Sequence, residues 1–407
     1  MKIVITTLFG IEAVMADELL ELGFDRDQFE LSDGQVVLEA GDQLAEVALA
    51  VARLNVFLGT AERVLLQLAE FPALEFDSLF DRTLKLPWEN WIPANFAFHI
   101  NGYSRKSRLF GISACQSLIK KAIVRRLLTA RGLPGDGQLP EDQSLGLIRV
   151  QFSIVSDQVR MMADTSGDGL HKRGYRPLQH EAPIKETLAA AILRLARFRP
   201  FGDEALIDPM CGSGTFPIEA ALLARRQAPG MNRSFLAESW PFIGKPAFDQ
   251  ARDEARGRID HRVPEKCFIF GSDLAPQVVA VAQANAQRAG VADLIDFEQM
   301  DVLTVKASRL SEKTGFERHL IVCNPPYGDR LLDQEQAEKL HEGLIHTFLE
   351  HGQARPDIRF NIITPLESFE HMAGGKADKR RKLYNGMIKC TLYQYFRQSH
   401  HQRSIQE

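Results

Sequence analysis

From residue 1 the chain alternates short apolar runs with amphipathic ones. Residues 2–6 read as a strand and 11–22 repeat apolar side chains at helical spacing; Ser32-Asp33-Gly34 marks a hairpin, and 42–57 a second helix. These sixty residues predict a small α+β unit. Residues 63–155 then set strand patterns ("RVLLQLAEF", "NFAFHINGY", "GLIRVQFSIVSDQVRMMAD") among helical stretches near 75–85 and 113–130. Beyond a turn-rich, basic linker at 165–186 the alternation becomes regular. It predicts helix 183–197, strand 205–208, helix 215–226, strand 267–272, helix 276–289, strands 294–300 and 318–323, helix 333–351 and strand 358–364. Such alternation predicts a doubly wound, mainly parallel α/β sheet.

At 407 residues the chain exceeds what one core serves, so two or three domains are expected. With 45% hydrophobic and 25% charged residues, and no apolar run near the roughly 20 residues of a bilayer span, the expectation is a cytoplasmic protein without a membrane anchor. Five cysteines (Cys115, Cys211, Cys267, Cys323, Cys390) are scattered without a C-x-x-C pair, which fits reduced thiols and no metal site.

Charge changes the picture further. Residues 1–100 hold seventeen acids against six Lys/Arg, a net of −11 in a chain whose total is −4, so the remainder carries +7. Within 101–135, Arg105, Lys106, Arg108, Lys120, Lys121, Arg125, Arg126 and Arg131 meet no acidic residue. In the helical part Leu118, Ile119, Ala122, Ile123 and Leu127 form the apolar stripe, and the cations flank it. A field of that sign attracts phosphate, so this region is a candidate nucleic-acid surface.

The chemistry gathers at strand ends. "ALIDPMCGSGTFPIEAALLARR" places a strand, Asp208, a turn with Gly212 and Gly214, and a helix in succession. Glycines let backbone approach a ligand closely. Without the third glycine of a dinucleotide loop, and with an acid ahead of the turn, the motif suits a cationic or hydroxyl-bearing ligand better than a pyrophosphate. Asp273 and Asp301 close the next two strands. An acid after the second strand can accept both ribose hydroxyls, and one after the third an adenine amino group. Either acid could instead cap the following helix. Asp208 and Asp273 stand 65 positions apart, where a simple strand-helix-strand unit needs about 20; residues 227–265 therefore read as an insertion.

"IVCNPPYGDR" ends the fourth strand. Proline at 325 turns Asn324 away from helical geometry, and Pro325 and Pro326 donate no backbone hydrogen bond. What remains are acceptors. The Asn324 side-chain oxygen and the Pro325 carbonyl can both accept from one exocyclic amino group, while Tyr327 offers a face for a base. Such an amine is a poor nucleophile because its lone pair is delocalised. Two acceptors on its hydrogens favour a pyramidal nitrogen and aim the lone pair at an electrophile.

"DPMCGSGT", "GSDLAPQVVAVAQANAQRAG", "VCNPPYG" and the linker "LHKRGYR" together resemble the THUMP-domain RNA methyltransferases, which use S-adenosylmethionine and include the large-subunit rRNA guanine-N2 enzymes. The likeness runs over almost the whole chain. It implies a Rossmann-like class I methyltransferase domain over 166–407, preceded by a ferredoxin-like module (1–60) and a THUMP module (61–165). It implies that Asp208, Gly212 and Gly214 line the methionine part of the cofactor, Asp273 its ribose and Asp301 its adenine. Met210, Cys211, Thr215, Leu274 and Val302 would bind the cofactor beside them. Asn324, Pro325, Pro326 and Tyr327 would grip the target base. Structured RNA, most simply 23S rRNA or its precursor, would be held by Arg105, Lys106, Arg108, Lys120, Lys121, Arg125, Lys172 and Arg173. A monomer is expected. Asn-Pro-Pro-Tyr is shared by guanine-N2, adenine-N6 and cytosine-N4 enzymes, so the motif alone leaves the base open. A tRNA substrate, an adenine-N6 enzyme and an inert RNA-binding assembly factor are the competing readings.

Overall fold

The computed structural model describes residues 1–135, 137–176, 184–266, 268–304, 307–326 and 334–396. They divide into two units: Met1–Thr7, Glu18–Leu170 and Arg233–Ala255 form the first, and Leu8–Asp17, His171–Asn232 and the chain from Arg256 onward the second. No described helix is long and apolar enough to cross a membrane.

The first unit is built on one seven-stranded sheet, in the order β2-β3-β1-β4-β7-β6-β5. Its strands are β1 (Lys2–Thr7), β2 (Phe29–Ser32), β3 (Gln35–Glu39), β4 (Ala61–Pro72), β5 (Phe96–Arg105), β6 (Asp142–Val155) and β7 (Gln158–Asp164). All pair antiparallel except β5 with β6. Helix α1 (Glu12–Glu21) starts among the residues of the second unit, while α2 (Leu44–Phe57), α3 (Phe76–Lys85) and α4 (Ile112–Ala130) belong to the first. The apolar stripe expected on α4 is its buried face: Ile119, Ala122, Ile123 and Leu127 are fully buried. Each large aliphatic side chain removed from water in this way contributes about 1.5–3 kcal/mol.

The inserted segment groups with this unit across 233–255. The indole N–H of Trp240, which is fully buried, donates to the Leu147 carbonyl of β6 at 2.9 Å. Phe242 packs edge-on against Trp91 at 5.4 Å between centroids. In α7 (Gly244–Gly257), Glu254 pairs with Arg53 of α2 at 2.9 Å.

The second unit contains the expected doubly wound sheet, ordered β10-β9-β8-β11-β14-β16-β15. Its strands are β8 (Glu204–Asp208), β9 (Ile269–Asp273), β10 (Asp296–Gln299), β11 (Arg318–Cys323), β14 (Ile358–Thr364), β15 (Lys379–Asn385) and β16 (Ile388–Tyr395); β12 (Leu349–Glu350) and β13 (Gln353–Ala354) form a separate ribbon. β10, β9, β8, β11 and β14 run parallel, and β16 and β15 pair antiparallel. The helices are α5 (Glu186–Leu195), α6 (Thr215–Ala224), α8 (Pro276–Ala289), α9 (Ala307–Thr314), α10 (Gln334–Phe348) and α11 (Phe369–Met372).

Strict alternation along the central strands feeds two cores. Leu206, Leu320 and Val322 point into one, with Ile192, Phe216 and Leu392; Ile11 and Val14 of α1 join it. Ile207, Ile321 and Cys323 point into the other, with Phe348, Phe360 and Tyr393. Strands covered on both faces are apolar throughout, which is why β11 reads "HLIVC" without a polar break. The strand order reverses between β8 and β11, and open α/β sheets bind ligands at that switch point.

Candidate active site

The register brings the sequence-predicted residues to one edge of the second unit's sheet. Asp208 pairs with Gly271 across β8 and β9, Asp273 with Gln299 across β9 and β10, and Ile321 of β11 with Ile207. Along the carboxyl ends of four neighbouring parallel strands the order is therefore Asp301, Asp273, Asp208 and Asn324.

Asp208 is 2% exposed and accepts from the Met210 N–H at 3.2 Å. Burial holds its carboxyl well above the usual carboxylate range; the Met210 N–H pulls the other way, and the charge of Asp273 adds to the rise. No described cation pairs with it. Burial likewise pushes the thiols of Cys211 and Cys323 well up, which keeps both protonated beside Asp208.

Between β8 and α6 the chain turns through two left-handed glycines. Gly212 has φ 52° and Gly214 φ 83°, the latter serving as the N-cap of α6. A Cβ at Gly212 would meet nothing within 4 Å, whereas one at Gly214 would lie 3.1 Å from the Ala282 Cβ. The first glycine thus borders open space, and the second lets α6 and α8 pack closely. Asp273 spans the site: one carboxylate oxygen accepts from the Gly212 N–H and the other from the Ala275 N–H, both at 3.1 Å. Asp301, half-buried, accepts from the Leu303 N–H at 3.0 Å. Leu274 is 66% exposed beside these acceptors, and Val302 is buried.

Asn324 carries the most informative atom. Its Oδ1 is buried and has no hydrogen-bond partner among the described residues. Pro325 is buried and Pro326 half-buried behind it. A buried amide oxygen without a donor costs roughly 1–3 kcal/mol, and polar atoms of that kind occur where a ligand completes them. Tyr327 lies outside the described residues.

Asn285 escaped the sequence reading. Asn285 donates from Nδ2 to the Ser213 carbonyl at 3.0 Å, bracing the glycine turn from α8. Its only sequence signal is an amide within the buried stripe of Val279, Ala282, Ala286 and Ala289. Arg176 pairs with Glu186 at 2.5 Å and reaches the Thr215 hydroxyl at 3.4 Å.

The expected phosphate contacts divide. Arg105, Lys106, Arg108, Lys120, Lys121 and Arg125 are all exposed on the first unit. Arg126 is pinned to Glu89, and Arg131 to the carbonyls of Ile92 and Pro93. Lys172 is exposed. Arg173 differs from the other expected contacts: it is 6% exposed and pairs with Glu219 of α6 at 3.5 Å. Tyr175 donates to the same Glu219 at 3.1 Å.

Three family models match the chain: the RlmL ferredoxin-like domain over 2–65, the THUMP domain over 73–131 and the RMKL-like methyltransferase domain over 173–394. YpsC of Bacillus subtilis, described as an RNA methyltransferase, is 40% identical over 408 residues that cover 100% of this chain and 98% of YpsC. The ribosomal RNA large subunit methyltransferase K/L of Vibrio parahaemolyticus is 33% identical over 95% of this chain, and the chain spans 52% of that longer protein. Among solved structures, a methyltransferase complexed with SAH superposes with a TM-score of 0.83 at 36% identity and 98% coverage of both chains. A Listeria monocytogenes protein described as an N6-adenine-specific DNA methylase gives 0.83 at 38% identity, covering 97% of this chain and 96% of its own.

Proposed function

Because the chain belongs to the RMKL-like methyltransferase family, we propose that it transfers a methyl group from S-adenosylmethionine to the exocyclic N2 amine of a guanine in 23S ribosomal RNA. When bound, the cofactor supplies an electrophilic methyl on a sulfonium. The residues fit it. Asp208 offers a buried carboxylate to a cationic ligand, supported by Met210, Cys211, Gly212, Gly214 and Thr215. Asp273, tied to the glycine turn, is placed for ribose hydroxyls beside Leu274, and Asp301 and Val302 for the adenine edge.

The observation that carries the reading is the unpartnered Asn324 Oδ1. With the Pro325 carbonyl it forms an acceptor pair for the two hydrogens of one amino group, on the same edge as the cofactor residues. Holding those hydrogens restores the nitrogen lone pair and orients it, so positioning can supply several kcal/mol without a strong base. RNA is favoured over duplex DNA by the separate first unit. Its exposed cations, Arg105, Lys106, Arg108, Lys120, Lys121 and Arg125, suit a folded RNA better than a uniform helix. The names of YpsC and of the K/L enzyme point the same way.

The test is methyl incorporation from labelled S-adenosylmethionine into in vitro-transcribed 23S rRNA, with nucleoside mass analysis of the product. Label in N2-methylguanosine supports the reading. Label only in N6-methyladenosine, in tRNA or in duplex DNA overturns it.

A further inference from the structure

β15 and β16 form a hairpin that stands on the same rim as Asn324. β14 runs parallel to β11, with Ile362 opposite Cys323; β16 returns antiparallel, with Thr391 opposite Thr364; and Asn385 faces Ile388 across the turn. The two-residue tip, Gly386-Met387, therefore points out from the carboxyl edge. Strand spacing places it on the order of 10–15 Å along the rim from Asn324, and the three residues from Thr391 to Ile388 raise it about 10 Å above the end of β14.

The tip carries an apolar side chain that the turn does not require. Gly386 has φ 63° and meets the conformational demand of the hairpin. Met387 needs no special backbone, and a polar residue would serve there, yet Met387 is 97% exposed and its neighbour Ile388 46%. The hairpin beneath is basic: residues 379–395 contain Lys379, Arg380, Arg381, Lys382 and Lys389 and no acid. Arg380 is engaged by Glu370, Lys389 by Glu367, and Arg381 by the Gly10 carbonyl. Lys379 and Lys382 are exposed, and neither has an ion pair among the described residues. An apolar tip on a cationic stalk matches nucleic acid, whose phosphates meet the stalk while the stack admits the tip; an acidic or apolar protein groove would leave one half unused.

Resting on the reading above, we infer that Met387 is a wedge: it enters the base stack of the RNA at the position vacated when the target base turns into the Asn324 pocket. Apolar side chains, methionine and leucine among them, serve this role in proteins that unstack nucleic acids. A turned-out base leaves a gap that its neighbours otherwise close. Met387 holds that gap open and so acts as a positioning residue.

The experiment uses the full chain and in vitro-transcribed 23S rRNA, together with a duplex fragment carrying the mapped target and a second copy in which the target faces an abasic site. Met387→Ala lowers kcat on intact rRNA about 10- to 100-fold, as loss of a few kcal/mol of unstacking compensation requires, while SAH affinity stays unchanged. Met387→Leu keeps near wild-type rates, and on the abasic duplex the Ala variant recovers most of its deficit. A Met387→Ala enzyme within twofold of wild type on rRNA, a Leu variant as slow as Ala, or an equal deficit on the abasic duplex overturns the wedge. If wild type itself places no methyl on rRNA, the proposed function fails instead, and the two failures are distinct.

Discussion

The Asp273 carboxylate accepts from the Gly212 N–H at 3.1 Å, joining the end of β9 to the turn that follows β8. One side chain thereby sets the shape of the turn and, in the proposed function, meets the cofactor's ribose. Asp273→Ala should free two backbone N–H groups and lower SAH affinity about 10- to 100-fold, as loss of charge-assisted hydrogen bonds implies. Titration calorimetry measures it; affinity within twofold of wild type would show that the acid only shapes the turn.

Asn324→Ala removes the buried acceptor that has no partner. The fold makes no hydrogen bond to it, so the melting temperature should stay within about 1–2 °C or rise slightly. Methyl transfer should fall about 10²- to 10³-fold, the scale of losing one oriented polar group at a reacting centre. SAH affinity should hold. A matching loss of stability would mean that Asn324 is structural.

Asp208 predicts a pH dependence. Its folded carboxyl titrates well above the unfolded value, which is about 3.9. The native state therefore binds the proton more tightly, and stability falls as pH rises from about 4 through the folded value. Asp208→Asn should melt higher than wild type at pH 8, with a smaller gain at pH 5, and should lose SAH binding at both. Thermal melts of the ligand-free protein decide this; an Asn variant less stable at pH 8 contradicts it.

The basic surface and the basic linker separate by salt. Replacing Arg105, Lys106 and Arg108 with Ala should weaken RNA binding and flatten its log K against log salt slope by about 2–3, leaving the melting temperature unchanged. Arg173→Ala should do the reverse. It strands the fully buried Glu219 without its ion-pair partner, so the second unit loses roughly 3–5 kcal/mol, with no direct change in salt slope.

Much of this was legible in the chain. β11, β14 and α8 fall at the residues the hydrophobic pattern marks, because strands and helices buried on defined faces print their period onto the sequence. The C-terminal hairpin lies beyond the last element the pattern predicts. β15 is an edge strand in which Leu383 alone is buried, so it carries no alternation to read. Arg173 looked like a free linker cation because Glu219, its partner, lies 46 positions on, and pairing at that range follows from how α6 packs. The inserted segment announced itself by length, but nothing in its composition named the unit that holds it; that depends on long-range contacts, Trp240 on the Leu147 carbonyl, Phe242 on Trp91 and Glu254 on Arg53.

The route of the chain has a consequence for how such a protein can be taken apart. The polypeptide changes unit five times, after residues 7, 17, 170, 232 and 255, and Ile11 and Val14 complete a core otherwise made after residue 171. No single scissor cut yields two finished halves. A fragment starting at 171 would carry every proposed catalytic group and still lack two keystones of its own interior.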